Sequence, residues 1–141
     1  MILADLHAFI KSKRLAVISS THKNGHPQAA LIGYAFDPII GLVFDTSANT
    51  RKTANLRARP YAALVIGWDE ETTVQVEGTA SEPTGAALTQ AKSLYFATWP
   101  DGRNRESWPD ISYFVIKPHW MRYSRYTTPP EILDFHTPEL S

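Results

Sequence analysis

The chain has 141 residues, of which 43% are hydrophobic and 20% charged, as expected for one globular domain, residues 1–141, with an apolar core. Lysine plus arginine and aspartate plus glutamate both number 14, which argues against nucleic acid or an anionic membrane as the main partner. The absence of cysteine excludes disulfides, thiolate metal sites and cysteine nucleophiles.

The N-terminal segment predicts an amphipathic helix over residues 1–13. Ile2, Leu6, Phe9 and Ile10 fall on one face of it. The segment lacks the basic start, long apolar run and small-residue cleavage site of a signal peptide. No stretch approaches the ~18 apolar residues of a membrane span. We therefore predict a cytoplasmic protein without a membrane partner.

The next part of the chain predicts three strands linked by short turns. Leu15–Ser20 is a short apolar run of the kind found in buried strands. The dipeptide Asn24-Gly25 is a strong hairpin signal, and it leads into a second strand over Pro27–Phe36. After another turn, the third strand covers Gly41–Thr46.

A helix and two more strands follow. Asn49 is the predicted N-cap of a helix that runs to about Arg59, where a proline prevents its continuation. Tyr61–Trp68 is nearly all apolar and predicts a central strand. Thr72–Ala80 alternates between apolar and polar residues, which predicts a strand with one buried face.

The last part predicts one helix, two strands and an irregular tail. Thr84 is the candidate cap of the helix, and strands cover Ile111–Lys117 and His119–Tyr126, with Pro118 marking a bend or bulge. The proline-rich tail over residues 127–141 is expected to be irregular. Because strands and helices do not alternate regularly, the order favours a barrel or sandwich over a doubly wound parallel sheet.

The most informative segment joins the third strand to the helix after it. Arg51 and Lys52 lie in the first helical turn, where cations oppose the helix dipole. A bound anion would remove this conflict, and free backbone N–H groups and the hydroxyls of Thr46, Ser47 and Thr50 would help to hold a phosphate. The alternative is that these cations form part of a solvated helix face.

Several motifs carry a family resemblance. They are Asn24–Pro27, Val43–Thr46, Thr50–Pro60, Ala63–Ile66 and Val74–Ala80, in this order and spacing. Together they resemble the FMN-binding split-barrel family that includes pyridoxamine 5'-phosphate oxidase. The later part, from Trp99–Arg103 through Trp120–Tyr123, resembles a subgroup of short members.

The resemblance implies a mainly β fold, a six-stranded antiparallel split β-barrel with short helices, and a homodimer with FMN in clefts at the subunit interface. On this pattern Arg51 and Lys52 bind the FMN phosphate, assisted by Thr46 and by Ser47 or Thr50. The other implied cofactor contacts are the backbone around Leu31, Ile32 and Gly33, the backbone of Asp45, and the side chain of Thr73 or Gln75.

Two departures from the family pattern bear on the substrate. Pyridoxamine phosphate oxidases carry an arginine and a lysine on the second strand, where this chain has Ala30 and Ala35. The family's C-terminal substrate motif is also absent. These departures argue against pyridoxamine phosphate as the substrate.

The aromatic residues after the third helix have two interpretations. Trp99 and Trp108 either pack in the core and the dimer interface or stack on a flavin ring from the partner's cleft. Arg103 and Arg105, between them, would then contact flavin or an acidic substrate. The five histidines have no metal-ligand spacing, so no metal site is predicted.

Three functions remain open at this point. The first is a flavin-dependent oxidoreductase, in which the cofactor carries the chemistry and no catalytic side chain is predicted. The second is a non-catalytic protein that binds or senses flavin, deazaflavin or heme. The third is a cofactor-free structural dimer.

Overall fold

The computed structural model describes residues 1–138. Its helices are α1 (Leu3–Ser12), α2 (Arg51–Ala58) and α3 (Gly85–Thr98), with a 3-10 helix over Pro100–Arg105. Its strands are β1 (Leu15–Thr21), β2 (Pro27–Gly33), β3 (Ala35–Asp37), β4 (Gly41–Ser47), β5 (Tyr61–Ile66), β6 (Thr72–Ser81), β7 (Ile111–Arg125) and β8 (Glu131–His136). The fold is thus mainly β with short helices.

The strands form one antiparallel sheet that curls on itself. Its order is β2-β1-β5-β6-β7-β4-β3, and β8 pairs with β7. Strands β2 and β3 are the two ends of this path, yet Tyr34 alone separates them in the chain. The two ends of the sheet therefore meet at Tyr34, which gives the split barrel that the motifs predict.

The strand count within residues 1–138 is eight, so the expectation of six strands is wrong. One difference is that the predicted second strand divides at Tyr34. The backbone N–H of Tyr34 donates to the carbonyl of Arg14 at 3.0 Å, and its buried hydroxyl donates to the carbonyl of Ile10 at 2.6 Å. These bonds turn the chain, so that β3 pairs with β4 instead of continuing along β1.

The two strands predicted on either side of Pro118 are one continuous strand, β7, with a bulge. Gly78 of β6 pairs with Pro118 and Glu77 pairs with Trp120, so His119 is the extra residue. The backbone comes very close here: a Cβ on Gly78 would lie 2.5 Å from the carbonyl oxygen of Lys117. Only glycine allows this approach.

The prediction of an irregular tail is wrong for Glu131–His136, which form β8. Phe135 is buried on the barrel core, and the Arg122 guanidinium of β7 holds the Asp134 carboxylate at 2.7 Å. These two contacts stabilise the strand, although the prolines that precede it favour a turn. Residues 139–141 of the predicted tail lie outside the described part of the chain.

The main core fills the barrel, and helices cover its two ends. Helix α1 contributes Leu6 and Ile10 at one end, and α2 contributes Leu56 near the other end of β1. Helix α3 packs outside the barrel, where Tyr95 and Phe96 meet β3, β4 and β7 in a second cluster. None of the helices within residues 1–138 is long and apolar enough to cross a membrane.

Candidate functional site

The loop that leads from β4 into α2 is held by one acidic residue. The Asp110 carboxylate accepts hydrogen bonds from the Ser47 hydroxyl and, at 3.3 Å, from the Asn49 amide. The carbonyl of Asp110 also accepts from the backbone N–H of Ala48 at 2.7 Å. The backbone at the start of α2 is therefore fixed before any ligand arrives.

Three threonine hydroxyls meet at the start of the helix. The Thr50 hydroxyl lies 3.1 Å from that of Thr46 and 2.8 Å from that of Thr53. Thr50 is also the N-cap, because its side chain accepts from the backbone N–H of Thr53. The prediction of Asn49 as the cap is therefore wrong: its side chain is drawn to Asp110 instead.

The two predicted phosphate-binding cations stand at the first two positions of α2, in a first turn that contains no acidic residue. Within residues 1–138 neither Arg51 nor Lys52 donates a hydrogen bond or forms an ion pair. The other arginines of this region are committed: Arg57 pairs with Glu82, and Arg59 donates to the carbonyl of Thr21, both at 2.8 Å. Of these four cations, Arg51 and Lys52 are therefore the two without a side-chain partner within residues 1–138.

A cleft of about 190 Å³ opens beside these cations. Thr50, Arg51 and Lys52 form its helix side, so three of the predicted residues come together as expected. Its strand side consists of residues from β1 and β2, namely Ser20, Gln28, Ala29 and Ala30. The site we call the α2 cleft consists of these seven residues.

The electrostatics of the α2 cleft favour a negative ligand. Burial lowers the pKa of the Lys52 ammonium from its ordinary value, and the negative charge of Asp45 partly opposes this effect. The charged form of Lys52 is therefore incompletely compensated within the chain. An anion beside it would restore the pKa and gain a charge-assisted hydrogen bond.

Asp45 is engaged on the other face of β4. Its carboxylate accepts from the Arg105 guanidinium at 2.8 Å and from the Tyr95 hydroxyl at 3.0 Å. Burial and the negative charge of Asp45 raise the pKa of Tyr95, which therefore stays protonated as the donor. Arg105, a predicted ligand contact, is thus occupied within the chain, and Arg103 stacks over Phe96 at 4.9 Å.

Leu31, Ile32 and Gly33 follow the α2 cleft along β2 but differ in exposure. Ile32 is buried in the barrel, whereas the Leu31 side chain is 61% exposed on the outer face. Gly33 lies under the Trp99 ring, which a Cβ would meet at 2.7 Å. The Trp99 indole N–H donates to the carbonyl of Tyr34 at 2.9 Å, so this ring packs within its own chain.

Gln75 and Trp108 lie apart from the α2 cleft of the same chain. Gln75 belongs to a cross-strand row on the outer face of the sheet, which we call the outer row: Leu31, Val17, Val65 and Gln75 are successive neighbours on β2, β1, β5 and β6. Trp108 is half exposed on the segment before β7. Neither residue is among the seven that line the α2 cleft.

Three polar residues at the site, Ser20, Gln28 and Asn55, were not predicted from the sequence. The Asn55 amide, buried in α2, donates to the Ser20 hydroxyl and to the Gln28 side-chain oxygen, both at 3.0 Å. A signal for Gln28 existed, because it is a polar residue on the same face of β2 as Ala30 and Ile32. No sequence pattern indicated Asn55, since its role depends on where α2 docks.

Comparison with known proteins agrees with this architecture. A family model described as pyridoxamine 5'-phosphate oxidase matches residues 2–125. A pyridoxine/pyridoxamine 5'-phosphate oxidase of Burkholderia ambifaria is 31% identical over 112 residues, which are 79% of this chain and 50% of that protein. The chain therefore spans about half the length of this relative.

Two solved structures share the fold. A heme binding protein from Mycobacterium smegmatis has a TM-score of 0.85 at 17% identity, covering 99% of this chain and 60% of that one. A pyridoxamine 5'-phosphate oxidase-related, FMN binding protein from Nostoc punctiforme has a TM-score of 0.72 at 14% identity, covering 94% and 88%. The match of the family model shows that the chain belongs to the pyridoxamine 5'-phosphate oxidase family.

Proposed function

We propose that this protein binds FMN, with its phosphate in the α2 cleft, and acts as a flavin-dependent oxidoreductase on a small molecule. The observation that carries the proposal is a pair of cations, Arg51 and Lys52, that have no side-chain partner within residues 1–138 and stand at a helix start whose backbone is already fixed. Exposed helix N–H groups and two cations suit a phosphate dianion.

The residues of the α2 cleft would each do a separate task. Arg51 would pair with the phosphate at the exposed rim, and the half-buried Lys52 would do so deeper in the cleft. The Thr50 hydroxyl donates to the Ser47 carbonyl and caps the helix, so it would shape the site for the anion, while Asp110 holds the loop. A bound flavin would supply the hydride or electron chemistry, so the chain needs no acid or base of its own for that step.

The outer row supports a homodimer as the functional unit. Leu31 is 61% exposed and Val65 is 40% exposed, and between them lies Val17 on β1. An exposed apolar row of this kind is characteristic of a surface that a partner covers. A second copy would bury it and would bring its own Gln75 or Trp108 towards the cofactor.

Heme is the competing ligand, because a heme binding protein shares the fold. Heme iron is usually held by a protein side chain such as histidine. The seven residues that line the α2 cleft include no histidine, and His119 borders a separate groove on the outer face with Tyr61 and Glu77. The α2 cleft therefore suits FMN better than heme.

The test is a titration of the purified protein with FMN, and separately with hemin, followed by visible absorption. We expect about one FMN per chain, and at least a roughly 100-fold weaker affinity in the Arg51→Ala/Lys52→Ala variant, since two charge-assisted contacts are lost. Turnover is then assayed with a reduced nicotinamide as electron donor.

The matched control is the Lys11→Ala/Arg125→Ala variant, which removes two exposed cations away from the α2 cleft. It should bind FMN as the unmodified protein does. Equal FMN affinity in both double variants would show that the phosphate is not held at α2. Binding of hemin without FMN would overturn the proposal in favour of a heme protein.

A further inference from the structure

Gln28 faces the cations of α2 from the opposite side of the cleft. It pairs with Ser20 in the β1–β2 ladder and lies on the same face of β2 as Ala30. The neighbouring wall is formed by the small side chains of Ala29 and Ala30. Gln28 is therefore the longest polar side chain on the strand side of the cleft.

Asn55 fixes the orientation of the Gln28 amide. The two hydrogen bonds of the Asn55 amide group, to the Ser20 hydroxyl and the Gln28 oxygen, are both 3.0 Å long. Asn55 is 2% exposed and Ser20 is 3% exposed, so solvent does not compete for these bonds. The oxygen end of Gln28 is thus committed to the protein.

The NH₂ group of the same amide differs from the oxygen in its hydrogen bonding. Within residues 1–138 the Gln28 NH₂ group donates no hydrogen bond. An amide carries two N–H donors and no charge, so it can donate to a phosphate oxygen without adding a third cation. Its oxygen is anchored and its side chain lines the same cleft as Arg51 and Lys52.

We propose that Gln28 is a specificity-determining residue that donates to the phosphate of the bound flavin, and that Asn55 is the residue that positions it. This inference rests on the proposed function, because it assigns a third contact to the same anion. A neutral, directional donor recognises the shape of the phosphate, whereas Arg51 and Lys52 supply most of the attraction at a distance.

The test compares FMN with riboflavin, which has the same ring but no phosphate, in the unmodified protein and in two variants. Gln28→Glu keeps the oxygen that Asn55 holds but replaces the donor by a negative charge. Gln28→Met removes the donor without adding charge. We expect Gln28→Met to weaken FMN binding roughly tenfold and Gln28→Glu more, with riboflavin affinity unchanged.

Measuring the same affinities at high salt concentration distinguishes a hydrogen bond from a general effect of charge. The loss in Gln28→Met should persist at about 0.5 M salt, where attraction between exposed charges is screened. An Asn55→Ser variant should lower the ratio of FMN to riboflavin affinity, a change that a purely structural role would not produce. Thermal unfolding of each variant verifies that it is folded. If Gln28→Met does not fold, the comparison uses Gln28→Glu instead.

Three results would count against the inference in different ways. FMN affinity that is unchanged in both Gln28 variants, while the unmodified protein binds FMN, overturns the role of Gln28 and leaves the proposed function intact. Equal losses for FMN and riboflavin also overturn it, because Gln28 would then act on the ring or the fold. If the unmodified protein does not bind FMN, both proposals fall.

Discussion

At the start of α2, two adjacent cations differ in how much water surrounds them. Arg51 is exposed, whereas Lys52 is half buried, and burial lowers its pKa. A lysine in this state pairs well with an anion but gives up its proton more easily than a solvated lysine does. The two residues therefore make different contributions to binding as the pH changes.

We predict that FMN affinity falls as the pH rises through the pKa of Lys52, starting below the ordinary lysine value. The protonated form binds the anion, and binding raises the pKa, so FMN binding takes up a proton in this range. The phosphate is already a dianion above about pH 7, because its second pKa is near 6. Titrations of FMN at pH 7 to 10 should show a progressive loss of affinity as the pH rises.

A Lys52→Arg variant provides the control, because arginine stays charged throughout this range. Its FMN affinity should be flat with pH. Riboflavin measured in parallel removes any contribution from ionisation of the ring. A pH dependence that survives in Lys52→Arg would place its origin elsewhere.

Among the secondary-structure elements, the bulge between β6 and β7 is a point of very close backbone approach. The absence of a side chain at Gly78 lets the extra residue of β7, His119, be accommodated. Strand β7 then continues with the register that pairs it with β8. A change at Gly78 therefore affects the pairing of strands on both sides of the bulge.

We predict that Gly78→Ala lowers the free energy of unfolding by about 2 kcal/mol, because the new methyl group overlaps the carbonyl of Lys117. Urea denaturation measures this loss. Ser81→Ala, an exposed change on the same strand, should leave the midpoint nearly unchanged. Equal midpoints for both variants would contradict the steric argument.

The elements themselves show where sequence patterns suffice and where they do not. The hairpin at Asn24-Gly25 and the alternation of β6 were predictable because local chemistry decides both. Strand β8 was not, because its stability comes from Phe135 on the core and Asp134 on Arg122, which are distant in sequence.

The residues of the candidate site also divide into those that local sequence patterns predict and those that they do not. Arg51, Lys52 and Thr50 adjoin one another in the chain, and their meeting in the α2 cleft was predicted. The contacts of Gln28 with Asn55 and of Asp45 with Arg105 span 27 and 60 residues. Such contacts depend on how helices dock on the barrel, which one sequence does not encode locally.

At the scale of the whole molecule, the outer row is an exposed apolar surface that a partner could cover. Leu31, Val17 and Val65 place apolar side chains side by side on the exterior of three adjacent strands. A monomer would leave them in water. A homodimer formed through this face is also what the predicted cofactor contact of Gln75 requires, because Gln75 does not line the α2 cleft of its own chain.

We predict that Val65→Glu converts the dimer to a monomer, raising the dissociation constant roughly 100-fold or more, because a buried charge without a partner is costly. Sedimentation velocity measures this change. Ile39→Glu, at a residue that is 81% exposed in the turn before β4, should remain dimeric. A monomeric unmodified protein, or a dimeric Val65→Glu variant, would contradict the assignment of this face.

The three partners of β7 have a consequence for synthesis on the ribosome. Strand β7 pairs with β4, β6 and β8, yet it follows β4 by some sixty residues and is made after both β4 and β6. The emerging chain can pair β1 with β2 and β3 with β4 early, but the edges of β4 and β6 that face β7 stay unpaired until β7 is made. During that interval these two edges are open to pairing with other chains.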